Sequence, residues 1–187
     1  MEYRQLGRTD IKVSALCLGT MTFGEQNTEV EAHQQLDRAL DAGINFIDTA
    51  EMYPVPPKAD TQGRTEAYIG SWLAKRGCRD SLVIATKVVG AADWLPYIRD
   101  GNPHLDRKNI EAAIDGSLRR LRTDVIDIYQ LHWPDRATNF FGRLGYLHPG
   151  QEHSVPISET LEVLADLVKA GKIRHIGISN ETPWGMM

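Results

Sequence analysis

Apolar residues in this chain alternate between two arrangements, short continuous runs and longer stretches in which they recur every three or four positions. The first predicts buried strands and the second amphipathic helices. Residues 3–6 and 11–13, divided by the turn Gly7–Asp10, predict a short hairpin. Val13–Leu18 is then an apolar run ending at Gly19, the first buried strand. Asn27–Ala42 is helical, with Val30, Leu36, Ala39 and Leu40 at apolar positions, and Gly43 stands where a helix commonly ends on a left-handed residue. Ile44–Ile47 follows as a strand, Thr65–Lys75 as a helix, Leu82–Thr86 as a strand, and Asp106–Leu121 as a helix that Asp106 caps. Val125–Leu131 is the next strand, Ile157–Ala170 a helix closed by Gly171, and Ile173–Ile178 a further strand. Thr182 and Pro183 begin another helix.

Apolar strands interleaved with helices imply an α/β protein whose parallel sheet is covered by helices, either doubly wound or closed as a (β/α)8 TIM barrel. A doubly wound dinucleotide domain carries GxGxxG in its first strand-to-helix turn. That turn here reads GTMTFGEQN, with glycines only at Gly19 and Gly24. Successive strands also end in polar residues able to do chemistry: Asp48 after NFI, Lys87 after VIAT, His132 after IYQL, and Ser179–Asn180 after HIGI. A barrel collects such strand ends at one mouth, and the barrel is therefore the expected fold.

Composition narrows the function. With 42% hydrophobic and 25% charged residues, the 187-residue chain suits one soluble domain over 1–187. No apolar run approaches the roughly 18 residues of a membrane span, and MEYRQLGRTD lacks a signal-peptide pattern, so a cytoplasmic location without a membrane partner is expected. A net charge of −4 without a basic stretch argues against a nucleic-acid partner. Cys17 and Cys78 form no CxxC motif and are expected as reduced thiols. His33, His104, His148, His153 and His175 lack metal-ligand spacing, and no metal is expected. Small-molecule chemistry remains.

Taken singly, Asp48 reads as a turn cap, Lys87 as a solvated strand end, and Tyr53 as a loop aromatic beside Pro54. Taken together with His132, they form a proton-delivery site. A phenol with an ordinary pKa of about 10 is a poor acid near neutrality, and a neighbouring ammonium such as Lys87 lowers that value. The lysine needs a counter-charge, for which Asp48 is available, and His132 can donate to a substrate carbonyl. Lys87 is expected within hydrogen-bond reach of both Tyr53 and Asp48. Trp133 is a candidate for the substrate wall, with rim packing as the alternative. The long connection from Pro134 to Pro156, with Phe140, Phe141 and Tyr146, reads as a substrate-facing loop or a subunit contact.

FIDTAEMY at 46–53, IATK at 84–87, DIYQLHWPD at 127–135, CLGTMTFG at 17–24 and AGKIRHIGISN at 170–180 resemble the motifs of the aldo-keto reductase superfamily. AEMYPVPP at 50–57 and the ISNET ending are most similar to its bacterial Tas-like branch. The resemblance implies an NADPH-dependent barrel that reduces aldehydes and ketones to alcohols without a metal. It assigns Tyr53 as general acid, Lys87 as the residue that tunes it, Asp48 as the partner of that lysine, and His132 as the group orienting the carbonyl. Ser179 and Asn180 match the pair that bonds the nicotinamide carboxamide, and Gly19, Thr20 and Met21 match the loop beside the NADP(H) cofactor. A small-molecule carbonyl compound is the expected partner.

A (β/α)8 domain runs to about 250 residues or more, so this sequence is expected to be the N-terminal part of the barrel, truncated to about five β/α units after an N-terminal β-hairpin. Such an open piece is expected to self-associate or be only partly folded, and to expose an apolar patch across Ile47, Ile84 and Ile128 or their strand neighbours. A cofactor-sensing regulatory subunit of the same fold, or an inactive truncated remnant, are the alternative functions.

Overall fold

A computed structural model describes residues 1–150 and 154–187. At the N-terminus, β1 (Tyr3–Gln5) and β2 (Lys12–Ser14) pair antiparallel around the predicted turn. The apolar run that follows does not form one strand. Val13 belongs to the hairpin, and the parallel sheet starts only with β3 (Cys17–Gly19). Ser14 divides the run: its hydroxyl donates to the carbonyl of Leu16 at 2.6 Å, and its N–H donates to Asn45 Oδ1 at 2.7 Å. A side chain that competes in this way for backbone groups breaks a ladder where hydropathy alone would continue it.

From β3 onward strand and helix alternate as predicted. The helices are α1 (Glu29–Asp41), α2 (Arg64–Arg76), α3 (Arg107–Leu121), α4 (Ile157–Lys169) and the short α5 (Pro183–Met186). Thr28 and Glu31 form a reciprocal capping box on α1, and the Asp106 carboxylate accepts from the N–H of Asn109 to start α3. The strands are β4 (Phe46–Asp48), β5 (Val83–Val88), β6 (Ile126–Leu131) and β7 (Ile173–Ile178). With β3 they make a parallel sheet in the order β3-β4-β5-β6-β7, in which neighbours in space are neighbours in sequence. The register sets Gly19 opposite Asp48, Asp48 opposite Ala85, and Lys87 opposite Gln130. The polar strand ends therefore share one end of the sheet.

The main core lies between sheet and helices, where Ile47, Ile84, Val88 and Tyr129 meet Leu36, Ile69, Trp72 and Ile114. A second cluster joins Ile11 and Val13 of the hairpin to Val83, Ala85 and Ile128. These two clusters correct the expected apolar patch: Ile47, Ile84 and Ile128 are 2%, 0% and 7% exposed. Helices cover the first two, and the hairpin covers the third. Within the sheet, apolar exposure lies instead at the margins, with Leu16 before β3 and Ile176 and Ile178 on β7.

Helices α2 and α3 cross at Gly70. A Cβ at that position would stand 2.0 Å from the carbonyl oxygen of Arg120 and 2.8 Å from the carbonyl carbon of Leu121, both backbone atoms. The crossing also carries a buried charge, since Glu66, fully enclosed, accepts from Thr86 Oγ1 at 2.6 Å and from Arg120 Nε at 2.7 Å. Gly70→Ala is expected to push the helices apart and to cost about 3 kcal/mol, read as a lower urea midpoint. An unchanged midpoint would mean that the crossing is looser than this packing. Among the described residues, no helix is long and apolar enough to cross a membrane; His153 lies outside them.

Candidate active site

Strand β4 delivers Asp48 at its last residue, β5 delivers Lys87 one residue before its end, and His132 directly follows β6. Tyr53 stands on the turn after β4, with its N–H donating to the carbonyl of Ala50 at 3.1 Å. Lys87 is 5% exposed, and its ammonium donates to Asp48 Oδ2 at 2.6 Å and to the carbonyl of Thr49 at 2.8 Å. The other carboxylate oxygen of Asp48 accepts from Gln130 Nε2 at 3.2 Å. Tyr53 and His132 meet edge to face with ring centroids 5.6 Å apart. All four predicted residues converge at one end of the sheet.

Two details differ from expectation. Lys87 meets Tyr53 through the ring, with Nζ 5.0 Å from the centroid, whereas its hydrogen bonds go to Asp48 and Thr49. The phenol is also not a stronger acid here. Burial, helped by the Asp48 carboxylate, pushes the Tyr53 pKa up to about 12. The physical reason is first that burial penalises the charged phenolate, and second that the Asp48 carboxylate repels it.

His132 is 7% exposed, and its Nδ1 is buried without a hydrogen-bond partner. Burial first, and the Lys87 charge second, bring its pKa down to about 3. The imidazole is neutral across the ordinary pH range. The folded value lies below the ordinary 6.5, so between the two the unfolded chain binds more protons. Stability from this group is thus complete above about pH 6.5 and is lost as pH falls toward 3, a contribution on the order of a few kcal/mol. Replacing His132 with Gln is expected to flatten the fall of the urea midpoint between about pH 7 and 4.5; an unchanged slope would count against burial of the neutral ring.

The profile of the aldo/keto reductase family matches residues 15–187. The chain belongs to this family. Protein tas of Escherichia coli is 53% identical over 187 residues, which are 100% of this chain and 54% of that protein. The uncharacterized oxidoreductase YrpG of Bacillus subtilis is 39% identical over 191 residues, covering 100% of this chain and 52% of its own. In three dimensions, the holo form of the aldo-keto reductase AKR11C1 from Bacillus halodurans superimposes with a TM-score of 0.71 at 35% identity, over 96% of this chain and 50% of that one. The chain thus spans about half the length of the relatives it matches, and its sheet and helices are five β/α units of the aldo/keto reductase barrel.

Within this aldo/keto reductase chain, the residues matched to the cofactor occupy the same end of the sheet. Ser179 and Asn180 follow β7, and Asn180 Nδ2 donates to the carbonyl of His132 at 2.8 Å and to Ser179 Oγ at 3.1 Å. Gly19 ends β3 with nothing within 4 Å of where a Cβ would be, and Met21 beside it is exposed. Thr20 sits deeper. It is fully buried, and its hydroxyl and N–H both donate to the carbonyl of Asp48, at 2.8 and 3.1 Å, so it holds the carboxylate's backbone.

Trp133 is fully covered, sits 4.8 Å from the His132 ring, and donates from Nε1 to the carbonyl of Ala91 at 3.1 Å. Gly90 makes that packing feasible, since a Cβ there would come within 2.7 Å of the Trp133 carbonyl. Phe140 stacks on the outer side of the indole at 6.0 Å. Trp133 therefore backs the wall, and Trp94, 43% exposed and 5.3 Å from it, and Phe141, 58% exposed and 5.7 Å from it, are open to solvent. Gln130 was not singled out from sequence, although period-2 alternation puts it on the Ile128 face, two residues before His132.

Proposed function

We propose that this chain carries the proton-delivery site of an NADPH-dependent oxidoreductase that reduces small aldehydes and ketones to alcohols, with Tyr53 as the general acid. The observation that carries the reading is the Lys87–Asp48 ion pair, at 2.6 Å, set against the face of a phenol that also touches a neutral imidazole. The oxidoreductase name of a Bacillus subtilis relative and the holo form of a solved neighbour support it. The end of β7 fits a nicotinamide carboxamide: Asn180 spends its amide hydrogens on His132 and Ser179, which leaves its carbonyl oxygen to accept and the Ser179 hydroxyl to donate. A dinucleotide bound there supplies the hydride.

The residues of the chain handle the oxygen of the substrate. As hydride reaches the carbonyl carbon, the C=O electron pair moves onto oxygen and an alkoxide develops. A phenol held at about 12 is fully protonated at neutral pH. Its proton nevertheless passes downhill to an alkoxide, whose conjugate acid is a far weaker acid, about as weak as water. The phenolate left behind faces the Lys87 ammonium. Neutral His132 can donate one hydrogen bond to the carbonyl, directing its oxygen toward Tyr53.

The test is the oxidation of NADPH with 4-nitrobenzaldehyde or a reactive dicarbonyl, using a chain of the relatives' length. Steady turnover is expected. Binding of NADPH without turnover would favour the cofactor-sensing alternative instead.

A further inference from the structure

Between Asp48 and Tyr53 the chain passes through Glu51, an acidic residue only 3% exposed that none of the roles above employs. Its carboxylate is fully engaged. Oε1 accepts from the backbone N–H of Val89 at 2.8 Å and from Arg99 Nη2 at 3.0 Å, while Oε2 accepts from Arg99 Nη1 at 2.7 Å. The backbone of Glu51 is held as well, its N–H donating to the carbonyl of Lys87 at 3.1 Å and its carbonyl accepting from Gln62 Nε2 at 2.6 Å. Glu51 therefore grips the chain at the carbonyl of Lys87 and again at the N–H of Val89, two residues on. Two residues later comes Tyr53, whose own carbonyl accepts from the N–H of Gly63 at 3.0 Å.

Arg99 approaches from a segment with its own cost. Its backbone φ is 47°, and that of Asp100 is 57°, in the left-handed region that side chains with a Cβ avoid. Such a conformation persists where the surroundings over-determine it, and a two-pronged guanidinium–carboxylate bond is a contact able to do so. The same segment supplies Leu95 and Ile98, buried in one cluster with Tyr53 and Trp133. An apolar residue in place of Glu51 would fill the space but strand the Val89 N–H and the guanidinium.

We propose that Glu51, gripped by Arg99, is a positioning residue that sets the placement of the Tyr53 phenol against the Lys87 ammonium. This rests on the general-acid reading above. A misplacement of about 1 Å costs on the order of a hundredfold in rate, so loosening this grip acts on chemistry before it acts on folding. Glu51→Gln keeps the length and loses the charge, and Arg99→Lys keeps the charge and loses the planar fork.

In a chain of the relatives' length, each variant is expected to lower kcat for 4-nitrobenzaldehyde roughly 10- to 100-fold with NADPH affinity within about threefold of wild type. The solvent deuterium isotope effect on kcat should rise, because proton delivery becomes slower, and the ring 13C resonance of Tyr53, assigned by its loss in Tyr53→Phe, should move. A variant that merely contains less folded protein lowers kcat and changes neither of these. The proposal is overturned if both variants keep kcat within about twofold, or if kcat falls while the isotope effect and the Tyr53 resonance stay put. If Glu51→Gln does not fold, Arg99→Lys decides alone. Wild-type turnover in Tyr53→Phe would instead remove the general-acid reading beneath it.

Discussion

Replacing Tyr53 with phenylalanine, in a chain of the relatives' length, is expected to slow carbonyl reduction by about 10²- to 10⁴-fold, the usual contribution of a positioned acid. NADPH binding should stay within roughly twofold, because the substitution removes one oxygen and leaves the ring in place. The contacts that fix the ring, Lys87 at 5.0 Å from its centroid and His132 at 5.6 Å, do not involve the hydroxyl. The Lys87–Asp48 bond also survives the change, since neither partner depends on the phenol. Loss should therefore appear in kcat and kcat/KM together, the mark of an interaction made only as charge develops on the substrate oxygen. Initial rates of NADPH oxidation, beside quenching of NADPH fluorescence, measure both halves. Undiminished turnover would refute the role of Tyr53; lost turnover with lost NADPH binding would place the phenol in the cofactor site.

Much of this site was legible because a parallel strand has a direction. Once apolar runs and helical stretches alternate, every strand ends at the same rim, and Asp48, Lys87 and His132 need only be terminal residues to become neighbours. What stayed hidden depends on side chains that reach sideways. Glu51 stands inside the motif FIDTAEMY, yet its partner Arg99 is 48 residues away, in a segment without periodicity. The tuning of Tyr53 was misjudged for a related reason. Sequence shows that a lysine and a carboxylate are present, but not how deeply the phenol is buried, and here burial prevails with the carboxylate beside it. The division of the run at Val13–Leu18 likewise follows from the bond between Ser14 and Asn45, residues 31 apart in the chain.

The 187-residue polypeptide expressed by itself is expected to self-associate, through its sheet margins and not through the inner face. The hairpin residues Ile11 and Val13 already cover Val83, Ala85 and Ile128, so the inward side near that end offers little apolar surface. The margins differ. In the sheet, β3 and β7 each pair on one side only, which leaves a row of N–H and C=O groups free along each. On β7 that row runs beside Ile176 and Ile178, 38% and 44% exposed, and Trp184 nearby is 72% exposed. An edge both unpaired and apolar is a template for another strand, and charge on an edge is the common means of blocking it. Ile178→Lys should therefore weaken association, by about tenfold or more in the concentration needed, while leaving the circular dichroism of the chain unaltered. Sedimentation velocity at several loadings reads the result. A wild-type chain that stays monomeric throughout would show that these margins are already satisfied, and a lysine variant that associates as strongly as wild type would place the contact elsewhere.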